Sequence, residues 1–190
     1  MAIIRTYRRD EKGELEFREA WYEPYTDAEL GQFVVNHGKV GHQSTVKDVD
    51  DVDPAAGAQL MSAFAEQCAE DGFAEIPAAE QYWVVAQYAL KSRDGTQRDE
   101  YLREKAVDLL SGHLAWRGLG TVESWDLAPW KLNVRILSPE PGKAVAAIKT
   151  CLREADLDFR KLSIAVGGQG GIGTLRQKHP APGKAPFTLD

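Results

Sequence analysis

Ile76-Pro77-Ala78-Ala79 interrupts a chain of 190 residues whose other long stretches carry regular apolar patterns, and its reading decides the architecture. Proline lacks a backbone donor and disfavours helical geometry in the residue before it, so no helix or central strand runs unbroken through Ile76-Pro77. The break separates two units, residues 1–78 and 79–167. Residues 168–190 follow as a Gly/Pro-rich C-terminal tail.

Upstream of the break, Ala2 to Arg9 reads as a strand, Asp10-Glu11-Lys12-Gly13 as a turn, and the alternating run Leu15 to Trp21 as the partner strand of a hairpin. Two more strands, Gln32 to His37 and Gln43 to Val49, are joined by Gly38-Lys39-Val40-Gly41. The stretch Asp48-Val49-Asp50-Asp51-Val52-Asp53-Pro54 is dense in carboxylates, but an EF-hand calcium loop needs Gly at its sixth position and Glu at its twelfth. Counted from Asp48 those positions hold Asp53 and Gln59. Asp53 reads instead as a helix N-cap with Pro54 at the first helical position. Leu60, Met61, Phe64, Ala65 and Cys68 then recur at helical spacing, and the pattern stops at Gly72. An antiparallel sheet covered by one helix is the expected result.

Downstream, Tyr82 to Leu90 reads as a strand and Thr96 to about Trp116 as a helix, with Leu102, Ala106, Leu109, Leu110 and His113 along one side. Strands Thr121 to Leu127 and Lys131 to Leu137, a helix Pro141 to Ala155 and a strand Leu162 to Val166 complete the order βαββαβ. That order is the ferredoxin-like arrangement, with Leu109, Val134, Ile148 and Ile164 expected in one core. The fold class is therefore α+β. The tail, with its glycines followed by Pro180, Pro182 and Pro186, is expected to be mobile or loosely docked.

A hydrophobic fraction of 43% with 27% charged residues is ordinary globular usage and excludes a disordered or fibrous chain. The net charge of −6 is unevenly spread: residues 1–79 hold 7 Lys+Arg against 16 Asp+Glu, and residues 80–190 hold 16 against 13. The first half, at −9, is poorly equipped to neutralise phosphates and suits a neutral or basic partner. No stretch approaches the roughly 18 consecutive apolar residues of a membrane span, and the first ten residues carry no secretory pattern, so a cytoplasmic protein without membrane contact is expected. Cys68 and Cys151 both fall on apolar positions of helical patterns, as inert core thiols do.

Recognised chemistry is sparse. Gly168-x-Gly170-x-x-Gly173 spells the dinucleotide fingerprint, but Pro180 follows after seven residues where a helix and a further strand are needed. His37, His42, His113, His179, Cys68 and Cys151 repeat no zinc-ligand spacing, and no nucleophile motif occurs. No catalytic residue, metal or cofactor is assigned, and an enzyme with an unrecognised site is a third-ranked alternative. Trp125 and Trp130 flank the strand connection at Pro129. Core placement is the leading reading for both, and exposure would make them contact anchors.

Residues 1–75 resemble the WGR domain, a small module of some poly(ADP-ribose) polymerases and of many bacterial proteins. The resemblance rests on His37-Gly38-Lys39-Val40-Gly41 in the place of the Trp-Gly-Arg-aliphatic-Gly signature, on the aromatic second strand with Phe17, Trp21 and Tyr22, and on a helix closing at Gly72-Phe73. It implies a binding role at His37, Gly38, Lys39, Val40 and Gly41. In the polymerases such modules contact nucleic-acid ends and neighbouring domains. His37 and Lys39 replace the signature Trp and Arg, so the stacking face and the planar phosphate clamp are missing here. The expected function is a non-catalytic interaction protein working through protein contacts, in the manner of an immunity protein that neutralises a basic partner. Nucleic-acid binding, through the signature or through Arg176, Lys178 and Lys184 of the tail, is the disfavoured alternative.

Overall fold

The computed structural model describes residues 3–26, 29–183 and 186–190. These form two antiparallel sheets and three α-helices, an α+β protein. Two compact units divide between Ile76 and Pro77, except that residues 116–118 group with the first. Ala2 and Lys184, invoked from the sequence, lie outside the described residues.

In the first unit, β1 (Ile3–Arg9), β2 (Leu15–Pro24), β3 (Gly31–Lys39) and β4 (Thr45–Val52) lie side by side in chain order. Two of the boundary differences from the sequence reading bear on its motifs. Gly38 and Lys39 belong to β3, paired with Phe17 and Glu16, so the connection is shorter than the whole signature. The acidic stretch is strand as far as Val52, because its backbone pairs with β3 at Asp48, Val49 and, past a register shift, at Val52.

Helix α1 (Pro54–Glu70) starts as cap chemistry requires: Asp53 is extended, and its Oδ1 accepts the Ala55 and Ala56 amides, each at 2.9 Å. The helix lays Leu60, Met61 and Phe64 against Ala20, Phe33 and Val52. Across the strands runs a polar line. Arg5, Glu19 and Asn36 stand directly opposite one another on β1, β2 and β3. Arg5 donates to Glu19 Oε1 through Nε (3.0 Å) and Nη2 (2.5 Å), and Asn36 Nδ2 donates to Oε2 at 3.3 Å. Glu19 is only 3% exposed.

The second unit contains β5 (Tyr82–Ala89), α2 (Gln97–Ala115), β6 (Thr121–Ala128), β7 (Lys131–Ser138), α3 (Pro141–Glu154), β8 (Leu162–Gln169) and β9 (Arg176–His179). The sheet order is β6-β7-β5-β8-β9. Val134, Ile148 and Ile164 are fully buried as expected, but Leu109 is 38% exposed. The buried stripe of α2 runs through Leu102, Ala106, Leu110 and Leu114, and Leu109 falls on its rim.

The C-terminal segment departs most from expectation. It supplies β9, paired with β8, and its last residues dock on the sheet: Gln87 Nε2 donates to the Thr188 carbonyl (2.8 Å), Asn133 Nδ2 to that of Leu189 (2.9 Å), and Lys131 Nζ to Thr188 Oγ1 (2.7 Å). The otherwise unpaired edge of β8 provides backbone partners irrespective of side-chain pattern, which is why the polar Arg176-Gln177-Lys178-His179 forms a strand. Among the described residues no helix is long and apolar enough to cross a membrane.

Replacing Asp53 by Ala should cost about 1 kcal/mol of unfolding free energy, whereas Asp53→Asn keeps the cap and should stay near wild type. Denaturant unfolding with and without calcium checks both points. Equal losses in the two variants, or a calcium-dependent midpoint abolished by Asp53→Asn, would argue for the metal loop instead.

Candidate functional site

His37, Gly38 and Lys39 end β3, and Val40 and Gly41 form the turn that leaves it. The turn closes with the His42 amide donating to the Lys39 carbonyl at 3.0 Å, and Gly41 has φ 94°. That is the third position of a type II turn, where a positive φ is required and glycine meets it without strain. Val40 is fully buried, and its amide donates to the Leu15 carbonyl at 2.8 Å. The Gly41 amide donates to Arg117 O (2.8 Å), and Trp116 meets Trp21 edge-on with ring centroids 6.2 Å apart. Residues 116–118 thus complete the surroundings of the signature, a grouping too distant in sequence to be read from it.

Lys39 is exposed and already engaged: its Nζ lies 2.5 Å from Glu14 Oε2 and 3.6 Å from Asp10 Oδ2. The bond to Glu14 holds the ammonium above its ordinary pKa. Beside it, His37, Gly38 and Lys39 share a cavity of about 320 Å³ with Arg8, Arg18 and Phe73. Both guanidinium groups stack on the Phe73 ring, at 4.5 and 4.2 Å from its centroid. Arg8 also bonds Glu16 (2.9 Å) and the Asp71 carbonyl (2.9 Å), and Arg18 bonds Asp71 Oδ2 (2.5 Å). The Arg18 bond holds the Asp71 carboxyl below its usual range. The cations at the signature are therefore matched by neighbouring carboxylates, and the cavity lacks the unbalanced positive charge that a phosphate backbone needs.

The two tryptophans are not core residues: Trp125 is 43% and Trp130 55% exposed. Trp125 lies on β6, with the Arg103 guanidinium 4.1 Å above its ring. Trp130 sits in the tight turn between β6 and β7 with φ 66°, a left-handed conformation that side chains other than glycine's rarely adopt. The Gly168–Gly173 segment runs into β9, not into the helix of a dinucleotide site. Among the described residues no three His, Cys, Asp or Glu side chains gather as a metal site.

No family model, curated protein or solved structure matches this chain.

Because Gly41 holds the left-handed position of the turn, Gly41→Ala should destabilise the protein by about 1–2 kcal/mol, the cost of holding a Cβ in that geometry. Lys39→Ala, which removes an exposed ion pair, should leave the thermal midpoint close to wild type. Thermal unfolding of the two variants checks the order, and a reversed order contradicts it.

Proposed function

We propose that this chain is a non-catalytic interaction protein that binds a protein partner, with Trp130 as its anchor and Trp125 beside it on the preceding strand. The observation that carries this reading is the conformation of Trp130. Ala128 pairs with Lys131, which leaves Pro129 and Trp130 as a two-residue connection. With Pro at the first central position, the second favours glycine, and a larger residue there costs about 1–2 kcal/mol. Backbone bonds enforce the strain: the Trp130 amide donates to the Arg93 carbonyl (3.0 Å), and its carbonyl accepts from the Leu90 amide (2.8 Å). The ring itself is 55% exposed, so folding gains little from it. A strained, solvent-facing tryptophan is explained by a partner that buries it.

Charge favours a basic partner. The edge strand β4 exposes Asp48, Asp50 and Asp51, and among the described residues no salt bridge reaches them. Gln32 and Tyr25 supply their side-chain hydrogen bonds instead, to Asp48 and Asp50. We read the first unit as a WGR-like module, supported by the four-stranded meander with one helix against it. The second reads as ferredoxin-like, supported by the order βαββαβ with the strands arranged β6-β7-β5-β8. An immunity-type role, neutralising a basic protein, is the form of this function that suits the acidic first unit.

Trp130→Gly separates the anchor from the fold. The variant should unfold at the same or a higher temperature than wild type, since glycine relieves the turn. It should nevertheless lose at least roughly tenfold in affinity for whatever basic protein the wild type captures from its native host. Equal capture by both forms, or co-purification of nucleic acid in place of protein, would contradict the proposal.

A further inference from the structure

Next to the first turn of α3, against β8 and β9, lies a cavity of about 760 Å³, within the size range of small-molecule sites. Tyr82, Val145 and Val166 give it apolar surface, and Arg176 and Lys178 give it positive charge. Its lining holds no carboxylate. Among the described residues neither cation takes part in a salt bridge, in contrast to Arg8, Arg18 and Lys39 of the first unit. The positive region extends along α3: burial, and then the neighbouring Lys149 and Arg153, hold the His179 imidazole below its ordinary pKa.

The cavity is also kept open by its glycines. A Cβ at Gly167 would come within 2.3 Å of the Ile172 carbonyl oxygen, so only glycine lets the loop fold back on itself as a wall. A Cβ at Gly142, in the first turn of α3, would meet nothing within 4 Å. A larger side chain there has space to occupy, at a position that lines the cavity.

We propose that this cavity binds a small amphiphilic organic anion, its apolar body against Tyr82, Val145 and Val166 and its acidic group against Arg176 and Lys178. The proposal goes beyond the protein-contact function and does not depend on it, since neither Trp125 nor Trp130 lines the cavity. Size favours a single small molecule. A polymer would need a charged track longer than one cavity.

Anilinonaphthalene sulfonate has the required chemistry, and N-phenylnaphthylamine is the same aromatic body without the acid. Fluorescence titration of the full chain should show saturable, one-site binding of the sulfonate. The double variant Arg176→Gln/Lys178→Gln, which changes only exposed side chains, should weaken sulfonate binding at least about tenfold and leave the neutral dye unaffected. Gly142→Leu should abolish binding of both dyes while circular dichroism stays that of the wild type. Absence of saturable binding to the wild type overturns the proposal, as does binding of the sulfonate to both variants with wild-type affinity.

Discussion

A buried carboxylate governs the first sheet. Glu19 is 3% exposed in the middle of β2, and among the described residues its hydrogen bonds come from the residues opposite it, Arg5 on β1 and Asn36 on β3. A charge so placed costs several kcal/mol unless it is paired and hydrogen-bonded. Sliding either neighbouring strand by one residue would turn its partner to the other face and leave Glu19 stranded. The register that results sets Lys39 opposite Glu16 and Gly38 opposite Phe17. Nearby Tyr7 is buried as well, and burial pushes its hydroxyl up to about 12, so it stays neutral beside the ion pair.

That register distributes the charges of the whole unit. Arg5, Arg8, Arg18 and Lys39 are matched by Glu19, Glu16, Asp71 and Glu14. The aspartates of β4 have no such match among the described residues, so part of the excess of acid over base in this half of the sequence lies along one sheet edge. The second unit shows the opposite imbalance at Arg176 and Lys178. One chain thus carries an acidic edge on one unit and a cationic cavity on the other, and these call for chemically different ligands.

Local chemistry was the legible part of the sequence. The start of α1 depends on Asp53 and Pro54 alone, and the order of strands and helices follows from periodicity within each segment. Contacts over long sequence distances were not legible. Arg8 and Arg18 reach the end of α1 and Phe73, and residues 116–118 group with the first unit, with no marker in the residues themselves. β9 carries no sequence signal, because an edge strand pairs through its backbone and needs no apolar alternation. Of the candidate site, Gly41 could be read as a turn glycine. The exposure of Trp125 and Trp130 could not be read, since a tryptophan on a strand or in a turn looks the same whether it faces a core or solvent.

Denaturant unfolding of Arg5→Leu, Glu19→Leu and the double variant tests most directly whether the buried pair fixes the register. Arg5→Leu alone strands the carboxylate and should cost roughly 3 kcal/mol or more, while the double variant, with two apolar side chains facing each other, should recover most of that loss. A double variant whose loss equals the sum of the two single losses would mean that Arg5 and Glu19 act independently, and that something other than their pairing holds the strands in place.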